Sequence, residues 1–387
     1  MLYNILEVVM KKVVIIPDSF KGTMSSKEIC DVIEKVFIKN FPGINVKRIP
    51  VADGGEGSVD SFNFALGGKI MNLEVNGPKL EKIQAKYLIL PVNDTAVIEM
   101  AQASGLPLVK GMPDPSVTST FGVGELILDA IAHNAKNIIL GLGGSSTNDC
   151  GVGCFKALGA KFFDKDGKEF LPVGGTLSKI KDIDITELQK NIEGITFTTM
   201  CDVDNPLLGI NGASFVFAPQ KGANAEMVAR LNIEQEKFSE VVKRTIGFSD
   251  TTFKGAGAAG GMGYGVKAFL NSNIEKGIDV VLNAVNFDEE IKDADLVITG
   301  EGKFDSQSLR GKVVIGISNR TKKQNIPLIA IVGDISDSVN EAYKSGVTAM
   351  YSINREAKIY DEIKNRAKED LALTTDAICK TIKAFER

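Results

Sequence analysis

A repeated grouping limits what this chain can fold into: a short apolar run, a loop rich in glycine and acid, then an amphipathic helix. "KKVVIIPDSFKG" places a buried strand at 13–16 and a loop behind it. "SSKEICDVIEKVFIKNF" follows, with Ser25 and Glu28 in the pattern of a capping box. Ile29, Val32, Ile33, Val36 and Phe37 then share one helical face. "NVKRIPVADGGEGSVDSFNFALGG" repeats the sequence of strand, loop and helix and stops on Gly67 and Gly68. The C-terminal third does the same with "DLVITG", "IPLIAIVGD" and "VTAMYSI" as strands between helices. Strands that alternate with helices imply a parallel sheet, because the helices supply the crossovers that parallel pairing needs. The expected fold class is α/β, a parallel sheet with helices on both faces.

The middle breaks the rule. "KIMNLEVNGPKLEKIQAKYLILPVNDTAVIEMA" reads as consecutive strands joined by turns, and "FFDKDGKEF" as a hairpin on Asp166 and Gly167. The expectation is a discontinuous first domain, residues 10–76 plus 290–387. A mixed α/β domain, 77–289, is inserted into it, with the active site in the cleft between them.

Composition excludes several classes. A chain of 387 residues with 44% hydrophobic and 24% charged residues is an ordinary globular protein, large enough for two or three domains. A net charge of −4 argues against nucleic acid as a partner. No apolar run approaches membrane-spanning length, and "MLYNILEVVMKK" lacks the features of a signal peptide. Five cysteines without paired metal-ligand spacing fit the cytoplasm, and Cys150 and Cys154 read as packing residues. A single histidine, His133, removes Ser-His-Asp and Cys-His mechanisms together. It closes an amphipathic helix, where a cation complements the dipole, so proton transfer falls to carboxylates or lysine.

In a parallel sheet, loops leaving the strands' carboxyl ends share one edge, and ligands bind there. "PDSFKGTMSS", "ADGGEGS" and "TGEGKFDSQS" all sit at that edge. "GDIS" does too, and is equally well an ordinary acid-glycine turn. In the inserted segment, "KNIILGLGGSSTNDCGVGCFKALG" is strand, glycine-serine loop and helix. Its glycines would admit close backbone approach, and its hydroxyls and helix N-terminus would suit phosphate. The alternative is a plain glycine turn with a Ser/Thr cap. No Walker loop occurs. "FTTMCDVDNPLLG" ends a strand on Asp202, Asp204 and Asn205, either a Mg2+ site or a solvated turn. "GAGAAGGMGYG", residues 255–265, contains G-x-G-x-x-G, but no apolar strand precedes it. It reads as a flexible or close-packed glycine segment rather than a dinucleotide fingerprint. These loops point to phosphoryl transfer, which needs positioning, charge neutralisation and a base. Lys21, Lys303 and Lys312 are the candidate cations; Asp18, Asp53, Asp202 and Asp305 are the candidate proton acceptors.

Taken in order, "IIPDSFKGTMSS", "PVADGGEGS", "GLGGSSTNDCG", "CDVDNPLLG", "APQKGA", "GAAGGMGYG" and "TGEGKFDSQSLRGK" resemble the bacterial type I glycerate kinase family over nearly the whole chain. The resemblance implies a flavodoxin-like domain carrying an inserted α/β domain. It also implies ATP-dependent phosphorylation of D-glycerate with Mg2+, the 2-hydroxyl being favoured. Against it stand a small-acid binding module without catalysis and a dinucleotide-dependent oxidoreductase. The acid-rich loops disfavour the first and the failed fingerprint disfavours the second. The catalytic candidates are Asp18, Lys21, Asp53 and Asp202. Those for the nucleotide are Gly143, Gly144, Ser145, Ser146, Thr147 and Asn148. Those for the acid substrate are Ser19, Glu56, Glu301, Asp305, Gln307 and Lys312, and those for the metal are Asp202 and Asp204. Members of the family usually begin near "MKKVVIIPDSFKG"; the first nine residues are expected to be peripheral, with the start left open between Met1 and Met10.

Overall fold

The computed structural model describes residues 10–51, 57–91, 93–109, 111, 113–306, 308–336 and 339–385. They form two compact units, one within Met1–Asp53 and Ile278–Arg387, the other within Gly54–Gly277.

The first unit is built on five parallel strands. Their order across the sheet is Ala349–Ser352, Leu328–Val332, Leu296–Gly300, Lys12–Pro17, Asn45–Arg48. Numbered along the chain this is 2-1-3-4-5, the flavodoxin-like order, and its switch point lies between the first and third strands. Those two strands pair in register from Val13 with Leu296 to Pro17 with Gly300. The sequence there is a continuous apolar run because both faces are covered. Val13, Ile15, Leu296, Ile298 and Ile331 face the helices Ser26–Asn40 and Ala367–Phe385, through Ile29, Ile33, Phe37, Leu371 and Ile378. The intervening residues Val14, Ile16 and Val297 are equally buried and project to the opposite face. The capping box forms as read: Ser25 Oγ accepts from Glu28 N–H, and Glu28 accepts from Ser25 N–H.

The second unit carries a six-stranded mixed sheet. The strands Asn273–Glu275, Thr196–Met200, Asn137–Gly141 and Thr95–Glu99 are parallel, and Lys82–Ile89 and Lys69–Asn76 continue the sheet antiparallel. A small antiparallel sheet of Glu169–Phe170, Lys161–Phe163 and Asp182–Asp184 contains the hairpin on Asp166 and Gly167. Phe155, Phe238 and Phe269 stack in the core, with Phe155 and Phe269 centroids 4.4 Å apart.

The structure divides the chain at 53/54 and 277/278, where the sequence suggested 76/77 and 289/290. The helix Ser58–Leu66 and the strand Lys69–Asn76 belong to the second unit. Val59 N–H donates to the buried Glu99 carboxylate at 2.6 Å, and the strand pairs with Lys82–Ile89 along its full length. The strand-loop-helix pattern is the same whichever sheet receives the helix, so the local sequence did not choose between them.

Candidate active site

At the switch point of the first unit, two neighbouring strands end side by side and hand their loops to the same edge. Asp18 N–H donates to Gly300 C=O at 2.8 Å, which sets Asp18 beside the start of the "GEGKFD" segment. Asp18 Oδ1 accepts from Ser19 N–H. The chain then turns through Gly22, at φ +81°, and closes with Phe20 N–H donating to Met24 C=O, leaving Lys21 exposed at the turn.

The "GEGKFD" segment is not a free loop. Lys303–Phe304 pairs in parallel with Asp334–Ile335, the "GDIS" segment, and Gly333 N–H donates to Glu301 C=O. This short ladder extends two core strands past the main sheet and fixes Glu301 at its base. Glu301 is 6% exposed, and its Oε1 has no hydrogen-bond partner among the described residues. Burial pushes its carboxyl up to about 7. A hydrogen bond from Ser308 and the charge of Lys312 oppose that shift, while Asp18 and Asp305 reinforce it. Asp18, Asp305 and Lys312 therefore all act on Glu301 at the carboxyl edge. Lys312 stands half-buried immediately before the helix Val313–Lys323. Lys303 is exposed. Asp53, Glu56 and Gln307 lie outside the described residues.

In the second unit, the strand Asn137–Gly141 ends in the glycine-serine loop. Gly143 and Gly144 reach solvent, Gly144 at φ +77°, whereas Ser145 to Asn148 are buried. Ser146 N–H and Oγ–H both donate to Ser104 C=O, and Thr118 Oγ–H donates to Ser146 C=O. Asn148 Nδ2 donates to Ser214 Oγ, which donates to Gln235. Thr147 Oγ1 and Asn148 Oδ1 have no partner among the described residues. The helix N-terminus that the sequence offered to phosphate is already used. The helix Val152–Ala157 is short, and Asp149 takes the Gly151 and Gly153 N–H groups while Thr120 Oγ takes that of Cys154.

Behind the loop the glycine segment 255–265 packs as closely as its composition allows. Ala259, Gly260 and Gly261 all have positive φ, and a Cβ on Gly260 would stand 2.2 Å from Thr147 O. The segment is a backbone buttress to the glycine-serine loop.

Asp202 and Asp204 follow the neighbouring strand Thr196–Met200. Asp202 Oδ1 accepts from Gly277 N–H at 3.0 Å, and the exposed Asp204 pairs with Lys254 at 3.2 Å. No group of three or more His, Cys, Asp or Glu forms a metal cage among the described residues. Two hard oxygen donors two residues apart fit Mg2+ held through one or two carboxylates, with water and phosphate completing its shell.

The glycerate kinase family matches residues 13–383 of the chain. The chain belongs to the glycerate kinase family. It is 42% identical to a glycerate kinase of Bacillus subtilis over 96% of this chain and 98% of that one. It is 43% identical to a glycerate 2-kinase of Escherichia coli over 96% and 98% of the two chains. A crystal structure of a glycerate kinase 2 from Salmonella typhimurium aligns with a TM-score of 0.87 at 38% identity, covering 97% of this chain and 99% of that one.

Within this kinase fold, two charged residues escape a reading of loops. Lys221 is 1% exposed, and its Nζ donates to Ser145 Oγ at 2.9 Å and to Thr147 C=O at 2.7 Å. Burial lowers its pKa to about 7, and the charge of Asp149 works against that. Asp149 is itself fully buried, accepting from Thr120 N–H, Thr120 Oγ–H, Gly151 N–H and Gly153 N–H, and burial raises its pKa against those bonds. "APQKGA" and "STNDCG" contain them, but a lone Lys or Asp beside glycine reads as a solvated turn. His133 is structural, as expected: it caps the helix Phe121–Ala132, with Nδ1 2.8 Å from Asp129 C=O.

Proposed function

We propose that the protein transfers the γ-phosphoryl group of ATP to the 2-hydroxyl of D-glycerate, giving 2-phosphoglycerate and ADP. The structural observation that carries this reading is the set Asp18, Glu301, Asp305 and Lys312 at a flavodoxin-like switch point. It offers proton acceptors and a cation to a small hydroxy acid. Family membership supports glycerate as the acceptor, and the E. coli relative's name, a glycerate 2-kinase, supports the 2-hydroxyl.

In this reading Asp18, or Asp53, takes the proton of the attacking hydroxyl as its oxygen bonds to the γ-phosphorus and the bond to ADP breaks. Lys21 offsets charge on the transferred group. Ser19, Glu56, Glu301, Asp305, Gln307 and Lys312 hold the acid, Lys312 through its carboxylate. Gly143 and Gly144 admit the nucleotide phosphates, with Ser145, Ser146, Thr147 and Asn148 shaping the loop. Asp202 and Asp204 would hold Mg2+, which when bound neutralises phosphate charge. The five unpaired cysteines support a cytoplasmic setting. Among the described residues no helix is long and apolar enough to cross a membrane.

Mixing protein, ATP, Mg2+ and D-glycerate should release ADP, and phosphorus NMR should show 2-phosphoglycerate. A 3-phosphoglycerate signal would overturn the regiochemistry. No ADP release with D-glycerate would overturn the substrate.

A further inference from the structure

We infer that Lys221 is a positioning residue for the nucleotide: its buried ammonium binds Ser145 from behind and turns the Ser145 hydroxyl proton toward an anionic phosphate oxygen at Gly143 and Gly144. This rests on the proposed role of the glycine-serine loop in nucleotide binding.

Lys221 Nζ donates both to Ser145 Oγ, 2.9 Å away, and to Thr147 C=O, 2.7 Å away, so it ties the loop at two points. With that bond Ser145 Oγ is an acceptor, and its own proton has no acceptor among the described residues. A hydroxyl that accepts from a cation becomes a stronger donor, because the two bonds polarise each other. Two neighbouring groups are committed elsewhere, Ser146 Oγ–H to Ser104 C=O and Asn148 Nδ2 to Ser214 Oγ, while Thr147 Oγ1 is fully buried with no partner among the described residues. Ser145, 8% exposed, also adjoins Gly144, the part of the loop that reaches solvent. Other phosphate loops bring a lysine to the ligand directly. Here the lysine is 1% exposed, and its hydrogen bonds go to Ser145 Oγ and Thr147 C=O. An ammonium is otherwise expensive to bury, and a loop-holding role alone would be served by a neutral donor.

The test is calorimetric titration of a non-hydrolysable ATP analogue with Mg2+ into the full chain, its K221M, S145A, double and Gly143→Val variants, with thermal midpoints for each. Methionine keeps the volume of the lysine stem and removes its donors. K221M and S145A should each weaken the dissociation constant by about 10-fold, the size of one charge-assisted hydrogen bond. The double variant should be no weaker than the weaker single one. Midpoints should stay level, or rise in K221M, and the KM for D-glycerate should not move. If Gly143→Val weakens binding while K221M and S145A do not, the relay is wrong and the loop still binds nucleotide. Additive losses in the double variant would also overturn the relay. If all variants fold and bind as the parent does, the loop is not the nucleotide site. Should K221M fail to fold, S145A alone decides, because an unchanged affinity there removes the relay.

Discussion

Glu301 and Asp202 have different relations to their surroundings and predict different experiments. Glu301 is held near pKa 7 by burial, against about 4.5 in an unfolded chain. Between those values the folded state keeps a proton that the unfolded state releases, so stability falls as pH rises from about 4.5 to about 7. Above pH 7 the folded carboxylate is charged, and the penalty is complete. Glu301→Gln should therefore have a higher thermal midpoint than the parent at pH 8, and the difference should vanish near pH 4.5. Calorimetric scans at the two pH values measure it; equal differences at both would show that the carboxyl is not strained by burial. Asp202 Oδ1 accepts from Gly277 N–H, and asparagine keeps that acceptor. Asp202→Asn should leave the thermal midpoint nearly unchanged and lower turnover at saturating Mg2+ on the order of 10³-fold. Near-parental turnover would move the metal role to another residue.

Between elements, close approach is set by glycine. The helices Phe121–Ala132 and Val152–Ala157 meet at Gly124, where a Cβ would stand 2.4 Å from Cys154 O and 2.7 Å from Ala157 Cβ. Gly124→Ala should destabilise the second unit by about 1–3 kcal/mol, the usual size of an overpacked contact, read as a shift in urea midpoint. An unchanged midpoint would mean that the helices separate freely. The elements themselves were largely legible in the sequence. Period-2 and period-3.6 patterns, the Ser25–Glu28 box and the Asp166–Gly167 turn are local signals, and the structure keeps each. The short ladder of Lys303–Phe304 with Asp334–Ile335 was not, because each partner is two residues long and the pairing joins segments about thirty residues apart.

For the whole molecule, separate cores have a spectroscopic consequence. The second unit buries Tyr87 and Tyr264 completely, while Tyr343, Tyr351 and Tyr360 of the first unit are 44%, 38% and 54% exposed. The chain has no tryptophan, so near-ultraviolet circular dichroism of tyrosine reports mainly on the second unit and the far-ultraviolet signal on both. In Gly124→Ala the tyrosine signal should be lost before the far-ultraviolet transition ends. Coincident transitions would show that the two units unfold as one.

The sequence by itself determined most of the elements, their parallel and antiparallel character in the main sheets, and the loops that collect acid and glycine. It also carried the family, because ordered motifs survive whatever their three-dimensional neighbours are. Tertiary structure decided three other things. It gave the helix Ser58–Leu66 to the second unit, since packing partners, not periodicity, choose a sheet. It closed the helix N-terminus after the glycine-serine loop by directing Asp149 at it. It also buried Lys221 and Glu301, whose side chains look solvated in one dimension. Burial depends on what distant segments place around a side chain, and that sets whether a charge is strained, relayed or free.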